Sequence, residues 1–322
     1  MAPDSLDLVD YPEPEPSARE IRVRVEACAV CRTDLHLIEG DIDPGKLPVV
    51  PGHMIVGTVE QTGFEARRFQ LGDRVGIAWL RHTCGRCDDC RSGAENLCRG
   101  SEYTGCHADG GYADSCVVDE SYAYALDDAW SALETAPLLC SGIIGYRALQ
   151  RAALAPGGSV GLFGFGSSAA MVARLARHRG HPFFAFSRGE AHLEEAKRIG
   201  AAWAGHADDH PGEPLDAAIV FAPAGPVVPP ALRAVRPGGR VVLAGIHMSE
   251  IPALDYERHL FHEKILTSVE ANTRADGVAF LEEACAAGIR PKVQVFPLER
   301  ANEALAGLKA GELDGTAVLD CG

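Results

Sequence analysis

Positive charge is scarce in this chain. Its 322 residues carry 30 Lys and Arg against 45 Asp and Glu, a formal net charge of −15. Such a field repels phosphate backbones, so nucleic acid is excluded as a partner. Long hydrophobic runs are also missing. No stretch reaches the ~20 apolar residues that cross a bilayer, so no membrane partner is expected. There is no charged-then-apolar leader, which points to a cytoplasmic protein and away from an oxidising compartment. Internal repeats and low-complexity tracts are absent, and only the Pro-rich lead-in YPEPEPSARE at 11–20 departs from ordinary composition.

What is present describes a turn-rich globular protein: 47% hydrophobic residues, 35 glycines and 20 prolines. The length suits two domains. Eleven cysteines is a high count for a cytosolic enzyme and makes sense once several are assigned to metal. Four of them, Cys84, Cys87, Cys90 and Cys98, fall in CGRCDDCRSGAENLC with the spacing C-x2-C-x2-C-x7-C. Four thiolates so close together can close a tetrahedral shell around one Zn²⁺ and leave no open position, which makes that metal structural. The rival, a pair of disulfides, needs the oxidising compartment that the missing leader argues against.

The first third of the chain reads as short strands and turns. IRVRVEA alternates with period two, and VGTVEQTG and LGDRVGIAW follow in the same style. After Cys140 the pattern changes to strand–helix alternation. A helix in GIIGYRALQRAAL leads to the strand SVGLFGFG, the helix SSAAMVARLARHRG, the strand HPFFAFS and the helix EAHLEEAKRIG. The strand LDAAIVFAP, the helix ALRAVRPGG and the strand RVVLAGI complete the run. Such alternation predicts a parallel, doubly wound sheet. Beyond residue 268 the pattern is mixed again, with PLERANEALAGLKAGEL as a helix and TAVLD as a closing strand.

Within the alternating region, GFGSSA reads G-x-G-x-x-A through Gly164, Gly166 and Ala169, after an apolar strand and at the start of a helix. Glycines there let the backbone approach a pyrophosphate, and the helix N-terminus offers free N–H groups. The second strand ends in Ser187 and Arg188, where an NAD enzyme usually carries a carboxylate. A hydroxyl and a guanidinium suit a 2′-phosphate, so NADP(H) is favoured over NAD(H), with Glu190 nearby as the opposing charge. Cys31, His53 and Cys140, far apart in sequence, would make a three-ligand zinc site with an open fourth position. Taken singly, each is more often a buried thiol or a satisfied core histidine.

The ordered set CRTDLH, PGHxxxG, the four-cysteine lobe, GGYA and PLLCSGxxGYRAL resembles the zinc-containing alcohol dehydrogenases of the medium-chain dehydrogenase/reductase family, bacterial type, over essentially the whole chain. The resemblance implies an α/β two-domain fold. A GroES-like β-rich catalytic domain would span 1–142 and 269–322, with its structural-zinc lobe at about 82–100, and a Rossmann domain would span 143–268. It implies two zinc ions, one on Cys31, His53 and Cys140 and one on the four-cysteine lobe. Thr33 matches the hydroxyl that hydrogen-bonds the substrate oxygen, His36 the outer member of a proton relay, and Asp34 the carboxylate behind the zinc-binding histidine. Trp79 and Ile38 match pocket-lining positions. The expected reaction is hydride transfer between a small-molecule alcohol or aldehyde and the nicotinamide, by a homodimer or homotetramer.

Two departures stand out. The family pattern GHE is GHM here, with Met54 in place of the carboxylate, and the segment before SLDLVDYPEPEP is short for the family. Cys28, Cys106, Cys116, Cys285 and Cys321 match no role and read as packing or surface thiols, and His82, His107, His206, His210 and His247 as surface or loop residues. Two rival functions are a zinc-free quinone or enoyl reductase, which would lack these cysteines, and a redox-inert protein that keeps the fold for an interaction role.

Overall fold

The computed structural model describes residues 6–127 and 130–322. The chain folds as two compact units. The first comprises residues 1–140, 273–278 and 290–322, and the second residues 141–272 and 279–289.

In the first unit the strands run β1 (Glu20–Ala29), β2 (Ile55–Thr62), β3 (Arg74–Ile77), β4 (Leu80–His82), β5 (Glu102–Tyr103), β6 (Ser115–Asp119) and β7 (Ala123–Ala125). The second unit holds β8 (Val160–Phe163), β9 (Phe183–Phe186), β10 (Trp203–Gly205), β11 (Leu215–Val220), β12 (Val235–Leu243) and β13 (Ile265–Ser268). The chain then returns to the first unit for β14 (Val293–Pro297) and β15 (Thr316–Asp320). Among the described residues the first unit forms a seven-stranded sheet, β14-β15-β1-β2-β3-β7, with β6 also beside β1.

The alternation in β1 has the expected cause. Ile21, Val23 and Val25 are fully buried, while the charged residues between them point to the other face. β2 runs antiparallel to β1 with Cys28 opposite Ile55. The chain leaving β1 and the chain entering β2 therefore emerge side by side, and the Ala29 N–H donates to the Met54 carbonyl at 3.0 Å. That register brings Cys31 and His53 to one place.

The second unit is a parallel sheet, β10-β9-β8-β11-β12-β13. Its central strands are buried on both faces and read as unbroken apolar runs, VGLF and FFAF. Phe163 and Phe186 stack flat across them, with ring centroids 3.9 Å apart. Two strands were not anticipated. Both β10 and β13 are short and only partly buried, so neither has the apolar signature of an inner strand. A second correction concerns ALRAVRPGG. The helix Val228–Ala234 stops before Val235, and the VRPGG segment belongs to β12. Pro237 and the glycines read as a helix stop, but Val235 pairs with Leu215 and the strand bulges before Arg240 pairs with Ala217.

Residues 269–272 and 279–289 pack with the second unit rather than returning to the first at 269. Phe280 is 1% exposed and its ring lies against Gly142, where no Cβ fits. Arg179 holds Glu283 through two bonds, at 2.7 and 2.6 Å.

Candidate metal and cofactor sites

Cys31 precedes the helix Arg32–Glu39, and Asp34 sits in that helix's first turn. The Cys31 N–H donates to Asp34 Oδ2 at 2.8 Å, a local bond that closes the helix start and fixes the carboxylate. Asp34 Oδ1 accepts from His53 Nδ1 at 3.0 Å, and both side chains are wholly buried. Cys140 arrives from a different part of the chain. It follows the buried turn Ala136–Leu139, and Leu139 lies over Gly76 of β3. The Cys31 and Cys140 Sγ atoms are 4.0 Å apart, and with a His53 ring nitrogen the three ligand atoms lie within 4.8 Å of one another.

His53 Nε2 is buried and has no hydrogen-bond partner among the described residues. An orphaned ring nitrogen beside two thiols is costly unless something binds it. Burial opposes a charged ring, yet the Asp34 carboxylate and the Cys31 thiol carry His53 up to about 10. The Cys31 thiol is held well below its ordinary range by the hydrogen bond from Cys140, against burial and with help from His53. Cys140, giving that bond, is raised well above its own. The Asp34 carboxylate and the Cys31 sulfur thus put negative charge around the His53 ring. Two sulfurs and one nitrogen could hold a zinc ion with a fourth position open.

Thr33 is 5% exposed, and its hydroxyl lies 3.7 Å from Cys31 Sγ. His36, one turn further along the same helix, pairs through Nδ1 with Asp41 at 2.8 Å. Trp79 and the His53 ring make a T-shaped contact, with centroids 4.8 Å apart. Ile38 is half-buried and packs on the apolar cluster around Val30, Leu35 and Leu305.

The four-cysteine lobe is an insertion in the β4–β5 hairpin, where His82 pairs with Glu102. Its Sγ atoms all lie within 4.8 Å of one another. The Cys87–Cys90 and Cys84–Cys90 separations are 3.4 and 4.0 Å, bracketing the ~3.8 Å edge of a tetrahedron built on Zn–S bonds of about 2.3 Å. The backbone N–H groups of Arg86 and Cys87 and the Cys98 thiol hold Cys84 down to about 6, as a thiolate ligand requires. The lobe is tied to the body of its unit by Glu95. Its carboxylate takes the Arg274 backbone N–H at 2.8 Å and the Arg274 guanidinium at 2.6 Å.

In the second unit Gly164 follows β8 with φ +87°, and a Cβ there would come 2.7 Å from the Ala222 nitrogen. A Cβ on Gly166 meets nothing within 4 Å, so the space at the N-terminus of the helix Ser167–His178 is open. Ala169 is fully buried in that helix's first turn. The arrangement could hold a pyrophosphate. Ser187 follows β9 and accepts the Gly189 N–H at 3.4 Å, and Arg188 is exposed. His192 Nδ1 lies 3.3 Å from the Ser187 hydroxyl, and His206 Nδ1 bonds the Ser187 carbonyl at 3.1 Å.

The alcohol dehydrogenase GroES-like domain family matches residues 17–128. The chain is 48% identical over 319 residues to a probable alcohol dehydrogenase, AdhA, of Mycobacterium tuberculosis (strain CDC 1551 / Oshkosh), spanning 98% of this chain and 92% of that one. It belongs to the alcohol dehydrogenases of the medium-chain dehydrogenase/reductase family. An alcohol dehydrogenase of Geobacillus stearothermophilus is 34% identical over 98% of this chain and 96% of its own. The structure of a cobalt- and zinc-bound thermostable alcohol dehydrogenase from Pyrobaculum aerophilum, 26% identical, superposes with a TM-score of 0.89 over 98% of this chain and 95% of that one.

Three features of the dehydrogenase escaped the sequence reading. Tyr112, within the GGYA motif, donates its hydroxyl to Asp34 Oδ2 at 3.2 Å. Tyr103 stacks flat on Trp79, with centroids 4.9 Å apart. The imidazoles of His192 and His206 gather at Ser187. The motif pointed at the first; nothing in sequence spacing pointed at the others. Met54 is fully buried. Cys28, Cys106 and Cys116 are buried and Cys285 is exposed. Burial pushes Cys28 and Cys106 up and takes Cys116 to about 12, as inert packing thiols. No helix among the described residues is long and apolar enough to cross a membrane.

Proposed function

We propose that this dehydrogenase is zinc-dependent, holds two zinc ions per chain and prefers NADP(H), acting as an alcohol dehydrogenase and aldehyde reductase. The observation that carries the reading is the orphaned, buried Nε2 of His53 facing the thiols of Cys31 and Cys140. The metal-bound Pyrobaculum aerophilum enzyme supports it. A zinc ion held there supplies Lewis acidity to the substrate oxygen, and a bound nicotinamide gives or takes the hydride.

The chain's own residues do the rest. Asp34 takes the Nδ1 proton of His53 in a hydrogen bond and so selects the tautomer whose Nε2 lone pair points at the thiols. The Thr33 hydroxyl lies 3.7 Å from Cys31 Sγ, at the edge of that centre. In the oxidative direction it accepts the hydrogen bond of the alcohol O–H. His36, backed by Asp41, carries the proton on to solvent. Trp79 walls the site beside His53 and suits compact or planar aldehydes. The four-cysteine lobe has no position left for substrate and holds its ion for stability alone.

At the second unit, Gly164, Gly166 and Ala169 shape the helix start that would receive the pyrophosphate. Ser187 and Arg188, with His192 and His206 beside them, would receive a 2′-phosphate. Assembly as a homodimer or homotetramer is part of the same reading, and light scattering tests it.

Metal analysis together with NADPH and NADH consumption over a panel of aldehydes tests the whole. The expected result is two zinc ions per chain and faster turnover with NADPH. Arg188→Ala is expected to raise the KM for NADPH by about tenfold, one charge-assisted bond, and to leave NADH unchanged. A metal-free active enzyme would refute the zinc reading, and equal use of both cofactors the NADP(H) preference.

A further inference from the structure

Tyr112 meets the candidate zinc site twice, by independent contacts. Its hydroxyl donates to Asp34 Oδ2, the oxygen not used by His53. Burial, and then the adjacent carboxylate, keeps the phenol protonated, so the hydroxyl is the donor. Its ring lies flush against Gly52, the residue before His53. Gly52 has φ +97°, and a Cβ there would collide with the Tyr112 ring. The backbone repeats the connection: the Tyr112 N–H donates to the Pro51 carbonyl and the Gly111 N–H to the Gly52 carbonyl, each at 3.0 Å. The ring also bridges two apolar clusters, one on β1, β2 and β3 and one on β15 and the helix Ala301–Ala310.

We infer that Tyr112 is a positioning residue for the catalytic metal: its hydroxyl holds the Asp34 carboxylate that orients His53, while its ring holds the backbone that carries His53. Among the described residues the carboxylate has three donors, the Cys31 N–H, the His53 ring and the Tyr112 hydroxyl. The first two belong to the metal-binding residues themselves. The third comes from outside the metal-binding residues and their helix, so Tyr112 resists Asp34 and His53 turning together. Loss of such an outer partner typically weakens metal binding 10- to 100-fold.

This inference rests on the zinc reading of Cys31, His53 and Cys140, and its test separates the two. Zinc-loaded full-length protein is titrated with a chromophoric chelator, for the parent, Tyr112→Phe and Cys140→Ser. Tyr112→Phe keeps the ring and its packing. The expected result is that one of the two zinc ions per chain is held about 10- to 100-fold more weakly in Tyr112→Phe, while the other and the thermal midpoint stay as in the parent. The weakened ion is the one that Cys140→Ser loses. In an Asp34→Asn background the Tyr112→Phe change is expected to add less than about twofold, because the two act as one unit. A merely structural tyrosine would instead shift the thermal midpoint or act independently of Asp34. Unchanged affinity in Tyr112→Phe overturns the positioning role and leaves the zinc reading standing. A parent chain that loses no zinc on Cys140→Ser overturns the zinc reading, and the inference with it.

Discussion

The two cysteine clusters of the first unit use the same ligand chemistry and are built in opposite ways. The lobe gathers its four sulfurs within one short insertion of the β4–β5 hairpin, with three of them partly exposed. The trio draws on a residue after β1, one before β2 and one after the turn Ala136–Leu139, and buries its histidine completely. In the lobe the polypeptide bends around the sulfurs, and the Arg86 and Cys87 N–H groups stabilise the Cys84 thiolate. In the trio the sheet comes first, and its register delivers the ligands. On the two-zinc proposal, the lobe would depend on metal to have a structure, while the trio would depend on the structure to bring its three ligands together.

That contrast can be broken by experiment. Replacing a trio ligand, as in Cys140→Ser or His53→Ala, is expected to lower kcat/KM at least about 10³-fold, since Lewis-acid stabilisation is worth several kcal/mol. One zinc equivalent should leave, with little change in the thermal midpoint by calorimetry. Cys98→Ser, the buried corner of the lobe, should show the reverse priority: several kcal/mol of stability lost with the other zinc, and activity falling only as the fold does. If both variants behave alike, the two clusters are not distinct in kind.

Smaller effects sharpen the picture. Glu95→Gln cuts the tie between the lobe and Arg274 and is expected to cost about 1–2 kcal/mol at pH 7, charge-assisted bonds discounted for the exposed arginine. Burial raises the Glu95 carboxyl, but the Arg274 bonds outweigh it and hold it below its ordinary value. The contribution is therefore full above the unfolded glutamate pKa of about 4.3 and is lost as pH falls through the lower folded value. Denaturant melts of parent and variant should converge in acid. Convergence on raising the pH instead would contradict the assignment. Last, Trp79→Leu removes an edge contact to His53 worth about 0.5–1.5 kcal/mol. Aldehyde KM should move by up to about tenfold, while the lobe's zinc affinity stays as it was.

Legibility in the sequence followed the range of the interactions. β1, β8 and β9 were readable because alternation or an unbroken apolar run records which faces are covered. β10 and β13 were not, because a short edge strand has one neighbour and need not be apolar. VRPGG was read as a helix stop because proline and glycine punctuate helices and bulged strands alike. The return of 279–289 to the second unit turns on Phe280 against Gly142 and on Glu283 against Arg179, pairings with no local signal.

By itself, the order of residues determined the four-sulfur lobe, the glycine turn after β8 and the run of alternating strands and helices, since each rests on neighbours a few positions apart. Tertiary structure decided how Cys31, His53 and Cys140 come to share one centre and how Asp34 and Tyr112 stand behind the imidazole. The physical reason is distance along the chain: those contacts are made by the register of β1 on β2 and the burial of the Ala136–Leu139 turn, and neither leaves a periodicity to read.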